Sequence, residues 1–128
     1  MNIIFITVKT QFEGIHYYPD APEEVEYLKN PHRHIFRVEA EIEVFHDDRE
    51  LEFIMVQHRM NEFFEIHGEL KSMSCEMIAK ELQDHLKKLY PITEEMELKR
   101  RYNKLSRKVN VRVSEDGENG VYVREVYT

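Results

Sequence analysis

His32 and His34 flank a single residue in Pro31-His32-Arg33-His34, which runs into the alternating stretch Ile35-Phe36-Arg37-Val38-Glu39-Ala40-Glu41-Ile42-Glu43-Val44. Alternation at period two is the mark of a β-strand, so both imidazoles project from the same face, side by side. Two neutral imidazoles held in that way are natural ligands for a first-row metal ion, and His16 upstream is a candidate third. Three nitrogens around zinc leave a position for water or substrate, which is the catalytic and not the structural arrangement. The same face continues as Phe36, Val38, Ala40, Ile42 and Val44. A histidine that extends an apolar face is either a ligand or a buried ring with a hydrogen-bond partner, and the pair alone leaves both readings open.

Four further groups have chemistry to offer. Val109, Val111 and Val113 alternate, and their parity carries Glu115 to the same face at a strand end. A carboxylate there can accept paired N–H donors from a guanidine-like edge, or serve only as a turn carboxylate. His67 falls at the end of a helical pattern, where it is a proton carrier or a ring favoured by the helix dipole. Cys75 stands in the first turn of a second helix, a position that can depress a thiol pKa, with no histidine evidently placed to partner it. Asp84 and His85 are neighbours in sequence but point two ways on a helix, so they make a poor dyad.

The elements that must position these groups follow from the pattern. Ile3 to Val8 reads as a first strand rather than a signal peptide, and Phe12 to His16 as its continuation after a bend or bulge. Residues 17–31, with Pro19, Pro22 and Pro31, read as a charged loop. The long strand ends near Val44, and Asp47 followed by Glu50 has the spacing of a capping box. Phe53, Val56, Met60, Phe63, Phe64 and His67 recur at helical spacing, with Gly68 as a stop. Ser74 is placed to cap a second helix whose inner face is Ile78, Leu82, Leu86 and Leu89, ended by Tyr90-Pro91. Glu94 to Lys104 reads either as a helical turn or as a charged loop. The valine strand then returns over Asp116-Gly117-Glu118-Asn119-Gly120 as a hairpin with Val121 to Val126.

The order ββααββ predicts an α+β domain spanning 1–128: a four-stranded antiparallel sheet with two helices packed on one face. Such a sheet has open edges and gains from oligomerisation that pairs them. The 128 residues suffice for one core, and the single cysteine rules out an internal disulfide or a four-cysteine zinc knot. No apolar run approaches a membrane span, so a cytoplasmic protein without a membrane partner is expected. The net charge of −7 argues against a nucleic-acid partner. The basic cluster Lys99-Arg100-Arg101 follows Glu94, Glu95 and Glu97, and reads as a solvated face of mixed charge.

Taken together, these motifs resemble the 6-pyruvoyl-tetrahydropterin synthase and 6-carboxytetrahydropterin synthase (QueD-like) family. Phe12-Glu13-Gly14-Ile15-His16 is similar to the family's Phe-x-x-x-His element, and His32-Arg33-His34 to its His-Gly-His. Glu52-Phe53 stands where the family has Asp-Phe, and Ile66-His67-Gly68-Glu69-Leu70 echoes Asp-His-x-x-Leu. Met73-Ser74-Cys75-Glu76-Met77-Ile78-Ala79 resembles the opening of its second helix, and Val111-Arg112-Val113-Ser114-Glu115 its Val-x-Val-x-Glu.

The resemblance implies a T-fold, in which trimers, often stacked into hexamers, close their sheets into a barrel with active sites between subunits. It implies Zn2+ on His16, His32 and His34, and a pterin-like substrate held by Glu115 and Glu76. Proton transfer falls to His67 or Glu26. The implied reaction is a lyase step on a dihydroneopterin triphosphate-type substrate, as in queuosine biosynthesis. Aldolase-like cleavage of a dihydropterin side chain using Glu26 is one alternative, and a non-catalytic T-fold binding or assembly protein another. The chain departs from the family in four ways, one being that the Pro-Thr opening of the second helix is gone. Arg33 replaces glycine and is expected to put a bulky charge near the metal; Leu28 and Glu26 occupy the positions of the catalytic cysteine; Ile66 replaces the aspartate that orients the helix-end histidine.

Overall fold

The computed structural model describes residues 2–66, 69–92 and 107–126. Its backbone is a long ribbon of two 13-residue strands, β1 (Ile4–His16) and β2 (His32–Val44). They pair antiparallel without a slip, from Ile4 opposite Val44 to His16 opposite His32. β1 therefore runs unbroken where a bend was expected. Thr10, the polar residue that interrupts its apolar face, finds a partner there by donating its hydroxyl hydrogen to Asn61. The expected loop after β1 contains a 3-10 helix (Glu23–Lys29) with no buried residue.

Two helices, α1 (Phe53–Ile66) and α2 (Cys75–Leu89), cover the apolar face of the sheet. The predicted Asp47–Glu50 capping box does not form. Glu52 caps α1 instead, its carboxylate accepting from Met55 N at 2.9 Å. Ser74 caps α2 as expected, accepting from Met77 N at 3.2 Å. Val56, Met60, Phe63 and Phe64 of α1 and Ile78, Leu82 and Leu86 of α2 are buried against Phe36, Val38, Ala40 and Ile42. Phe53 and Leu89, assigned to the same stripes, lie at helix ends and are exposed. Phe12 stacks on Phe64 at 4.2 Å and on Phe36 at 5.2 Å between ring centroids.

The class is α+β, but the sheet differs from the four antiparallel strands predicted. It has five strands in the order β3-β1-β2-β4-β5 and is mixed. The extra strand, β3 (Glu69–Lys71), runs parallel to β1 beside Ile15 and His16. Three residues with only Leu70 buried are too short to show a periodicity. Leu70 seats against Gly14, where a Cβ would meet its Cδ1 at 2.7 Å and push the Leu70 side chain aside. β4 (Val109–Glu115) adds to β2 and β5 (Gly120–Val123) to β4, both antiparallel. The face away from the helices carries charged pairs, among them Lys9–Glu39 at 3.5 Å and Arg33–Glu13 at 2.7 Å. Among the described residues no helix is long and apolar enough to cross a membrane. The segment 94–104 lies outside them.

Candidate metal centre

The ribbon's register brings the three histidines together. His16 ends β1 directly opposite His32, and His34 is opposite Gly14, so all three rings share the helix-covered face. Ring centroids are 4.5 Å apart for His16–His32, 5.1 Å for His32–His34 and 5.4 Å for His16–His34. One ligand nitrogen from each lies within 4.8 Å of the other two. Phe36 closes the floor, 5.2 Å from the His16 ring and 5.8 Å from His34.

Each ring is oriented by its outer nitrogen. His16 Nδ1 lies 2.9 Å from the Met73 carbonyl, His32 Nδ1 2.8 Å from the Asn30 carbonyl, and His34 Nδ1 2.7 Å from an Asp116 carboxylate oxygen. All three partners only accept, so each Nδ1 carries the hydrogen and donates it. In a neutral ring that leaves the Nε2 lone pair free, which is the tautomer a metal ligand needs. Nε2 of His16 and of His34 are buried and have no hydrogen-bond partner. Buried acceptors facing one another without a donor are costly, and a divalent cation among them removes the cost. The residues present fit a metal ion.

Two neighbours at the β4–β5 turn complete the surroundings. Asp116 and Gly117 both have positive φ, 57° and 73°, as a type I′ turn requires, and Glu118 N closes it on Glu115 O at 2.9 Å. This geometry presents the Asp116 carboxylate to His34 Nδ1 and to Ile35 N. The His34 hydrogen bond, and then the Ile35 N–H, hold its carboxyl below the ordinary carboxylate value. Glu115 turns inward. Its two oxygens lie 3.5 Å from His16 Nε2 and 3.2 Å from His34 Nε2, contacts without hydrogen-bond alignment. The Cys75 thiol donates toward Glu115 Oε1 at 3.7 Å. Burial first, and then the Glu115 charge, push this thiol up to about 12, the reverse of the depression a first-turn cysteine suggests.

The structure does not gather every residue expected at the site. Glu26 is on the 3-10 helix, mostly exposed and 3.6 Å from Lys29. Glu76 is exposed in the first turn of α2. His67 lies outside the described residues. Arg33 alternates to the opposite face and pairs with Glu13, so its charge is not at the metal position, contrary to expectation. Asp84 is exposed, and His85 packs against Phe63 with centroids 4.7 Å apart; they form no dyad. A broad groove of about 1190 Å³ includes Thr10, Gln57, Asn61, Arg112 and Tyr122 in its lining, but none of the three histidines.

Sequence reasoning missed the groups that orient the rings. Asp116 was legible only as half of an Asp-Gly turn signal, and main-chain carbonyls such as those of Asn30 and Met73 carry no residue-type signal at all. No protein-family model matches the chain, and no curated protein matches it either.

Proposed function

We propose that this protein is a T-fold metalloenzyme: a zinc-dependent lyase of the 6-pyruvoyl/6-carboxytetrahydropterin synthase kind, acting on a dihydropterin-type substrate. The observation that carries the reading is a ligand nitrogen from each of three rings within 4.8 Å of the others at one end of the sheet, each ring held by a hydrogen-bonded Nδ1. His16, His32 and His34 would hold the ion. When bound, zinc would supply Lewis acidity toward the substrate's side-chain oxygens and make the adjacent C–H more acidic.

The chain's own residues divide the remaining work. Glu115 accepts the paired N–H donors of the amino-pyrimidine edge, and Glu76 supports binding from the start of α2. Phe36 beneath the rings excludes water from that side. His67 or Glu26 would carry the proton. Oligomerisation fits the open edge: β3 pairs with only Ile15 and His16, so among the described residues the rest of the outer edge of β1 has no strand beside it. Trimers or hexamers of this chain would cover it and wall the site. Aldolase-like cleavage using Glu26 is the second reading, favoured by the absence of a cysteine at positions 26 and 28.

The test is metal content of untagged protein purified without added zinc. About one zinc per chain is expected, lost in His32→Ala/His34→Ala, together with turnover of dihydroneopterin triphosphate by the wild type. Protein that neither carries nor takes up zinc removes the Lewis acid and the proposed chemistry with it. Zinc without turnover or pterin binding would leave a metal-stabilised T-fold protein.

A further inference from the structure

We propose that Glu115 is a ligand of the metal ion as well as a binder of substrate: it closes the His16-His32-His34 centre while the pocket is empty and is displaced when substrate enters. The inference rests on the metal-centre reading above and goes beyond it, because three histidines with a free fourth position describe an open site.

The separations carry the argument. In a tetrahedral shell with bonds of about 2.1 Å, neighbouring ligand atoms lie about 3.4 Å apart. Glu115 Oε2 stands 3.2 Å from His34 Nε2 and Oε1 3.5 Å from His16 Nε2, so each oxygen approaches one ring nitrogen at about that spacing. The alternative, an imidazolium–carboxylate pair, would aim an N–H at each oxygen. Neither contact has that alignment, and Nδ1 of each ring is taken up by its own acceptor. Lone pairs and an anion thus face one another at close range on the buried side of the sheet, an arrangement that a cation resolves.

The surroundings hold the carboxylate in place. β4 is locked to β2 through Phe36 opposite Glu115, and Glu115 N donates to Asn119 O at 2.9 Å. Cys75 donates toward Oε1 from the first turn of α2. This donor is the kind of outer partner that orients a metal-bound carboxylate. A carboxylate that occupies the ion cannot also grip a pyrimidine edge. Substrate oxygens would take the position that Glu115 leaves, and the freed carboxylate would accept the substrate's N–H donors. The empty enzyme is protected from adventitious ligands, and an ion held by four protein groups is retained more tightly.

The experiment uses cobalt(II) as the probe, on the full chain and on Glu115→Gln and Glu115→Ala, with circular dichroism confirming that each variant is folded. Wild type is expected to show the intense visible bands of a four-coordinate site, unmoved by azide. Both variants should bind cobalt at least about 10-fold more weakly and show spectra that azide shifts, because a position has opened. Variants that match the wild type in affinity and spectrum, or a wild-type spectrum that azide shifts as readily as theirs, would overturn the ligand role while leaving the three-histidine centre standing. A wild type that takes up no cobalt overturns both.

Discussion

The two ends of the β1–β2 ribbon, about 40 Å apart at the usual strand rise, both bury polar groups and treat them in opposite ways. At the far end Arg107 is almost wholly buried and lies 2.7 Å from Glu50, an ionic contact between two buried groups. Its guanidinium donates to the Tyr90 carbonyl at 2.9 Å and the Glu43 carbonyl at 2.7 Å, and sits 5.0 Å over the Phe45 ring. Glu50 also accepts from Phe45 N, and Glu43 from Lys108 N. Most donors there meet acceptors, and the Glu50 oxygen without a hydrogen-bond partner lies against the Arg107 charge. At the histidine end, acceptors meet acceptors: two Nε2 atoms and a carboxylate converge, and no hydrogen-bond donor is aimed at either nitrogen. A buried polar cluster that closes on itself is architecture, and one that leaves lone pairs aimed at a common point is built for something that arrives from outside.

The contrast is broken most severely at Arg107. Arg107→Met strands the Glu50 carboxylate and should cost about 3–5 kcal/mol in urea unfolding. The folded fraction should still bind metal as wild type does, since the two clusters share no residue. A Glu50→Leu change added to it should recover much of the loss. If the single variant proves as stable as wild type, the far cluster is not the structural lock described.

A smaller effect is expected at Asp116, the one side chain among the described residues that holds the Nδ1 of a metal-centre histidine. Asparagine tolerates the same positive φ, so Asp116→Asn keeps the turn while weakening the hold on His34 Nδ1. Metal affinity should fall about 10- to 100-fold, with thermal stability of the metal-free protein nearly unchanged. An unchanged affinity in a direct metal titration would show that Asp116 serves only the turn.

The smallest effect belongs to two tyrosines away from the histidines. Burial raises the Tyr90 hydroxyl above 10.0, and a hydrogen bond to Glu41 does the same for Tyr122. The unfolded chain therefore loses these protons first as pH rises. Their contribution is complete below pH 10.0 and is lost as pH climbs through the higher folded values. Ultraviolet titration of Tyr90→Phe and Tyr122→Phe against the wild type should show that the hydroxyl lost in each variant ionises above 10.0, with a modest fall in wild-type unfolding free energy over the same range. A lost component that ionises at or below 10.0 would contradict the shift of that tyrosine.

Period two in Ile35–Val44 and in Val109–Val113, and the helical spacing of Val56, Met60, Phe63 and Phe64, were enough to place β2, β4 and α1 and to assign the α+β class. Alternation also determined that His32 and His34 share a face with Phe36 while Arg33 does not, because side-chain direction in a strand is a local property. Ser74, and the end of α2 at Tyr90, were legible for the same reason. The rest depended on contacts distant in sequence. Only the antiparallel register sets His16 against His32, and only the packing of α2 carries the Met73 carbonyl to His16 across 57 residues. The Asp116 contact with His34 spans 82 residues, and Glu115 reaches the same ring from the neighbouring strand. β3 escaped notice because three residues hold no period, and Glu52 displaced the expected cap because Glu50 was drawn to Arg107. Residue type and spacing nominate ligands; the direction of each lone pair belongs to the assembled sheet, since it depends on which acceptor takes the other nitrogen's hydrogen.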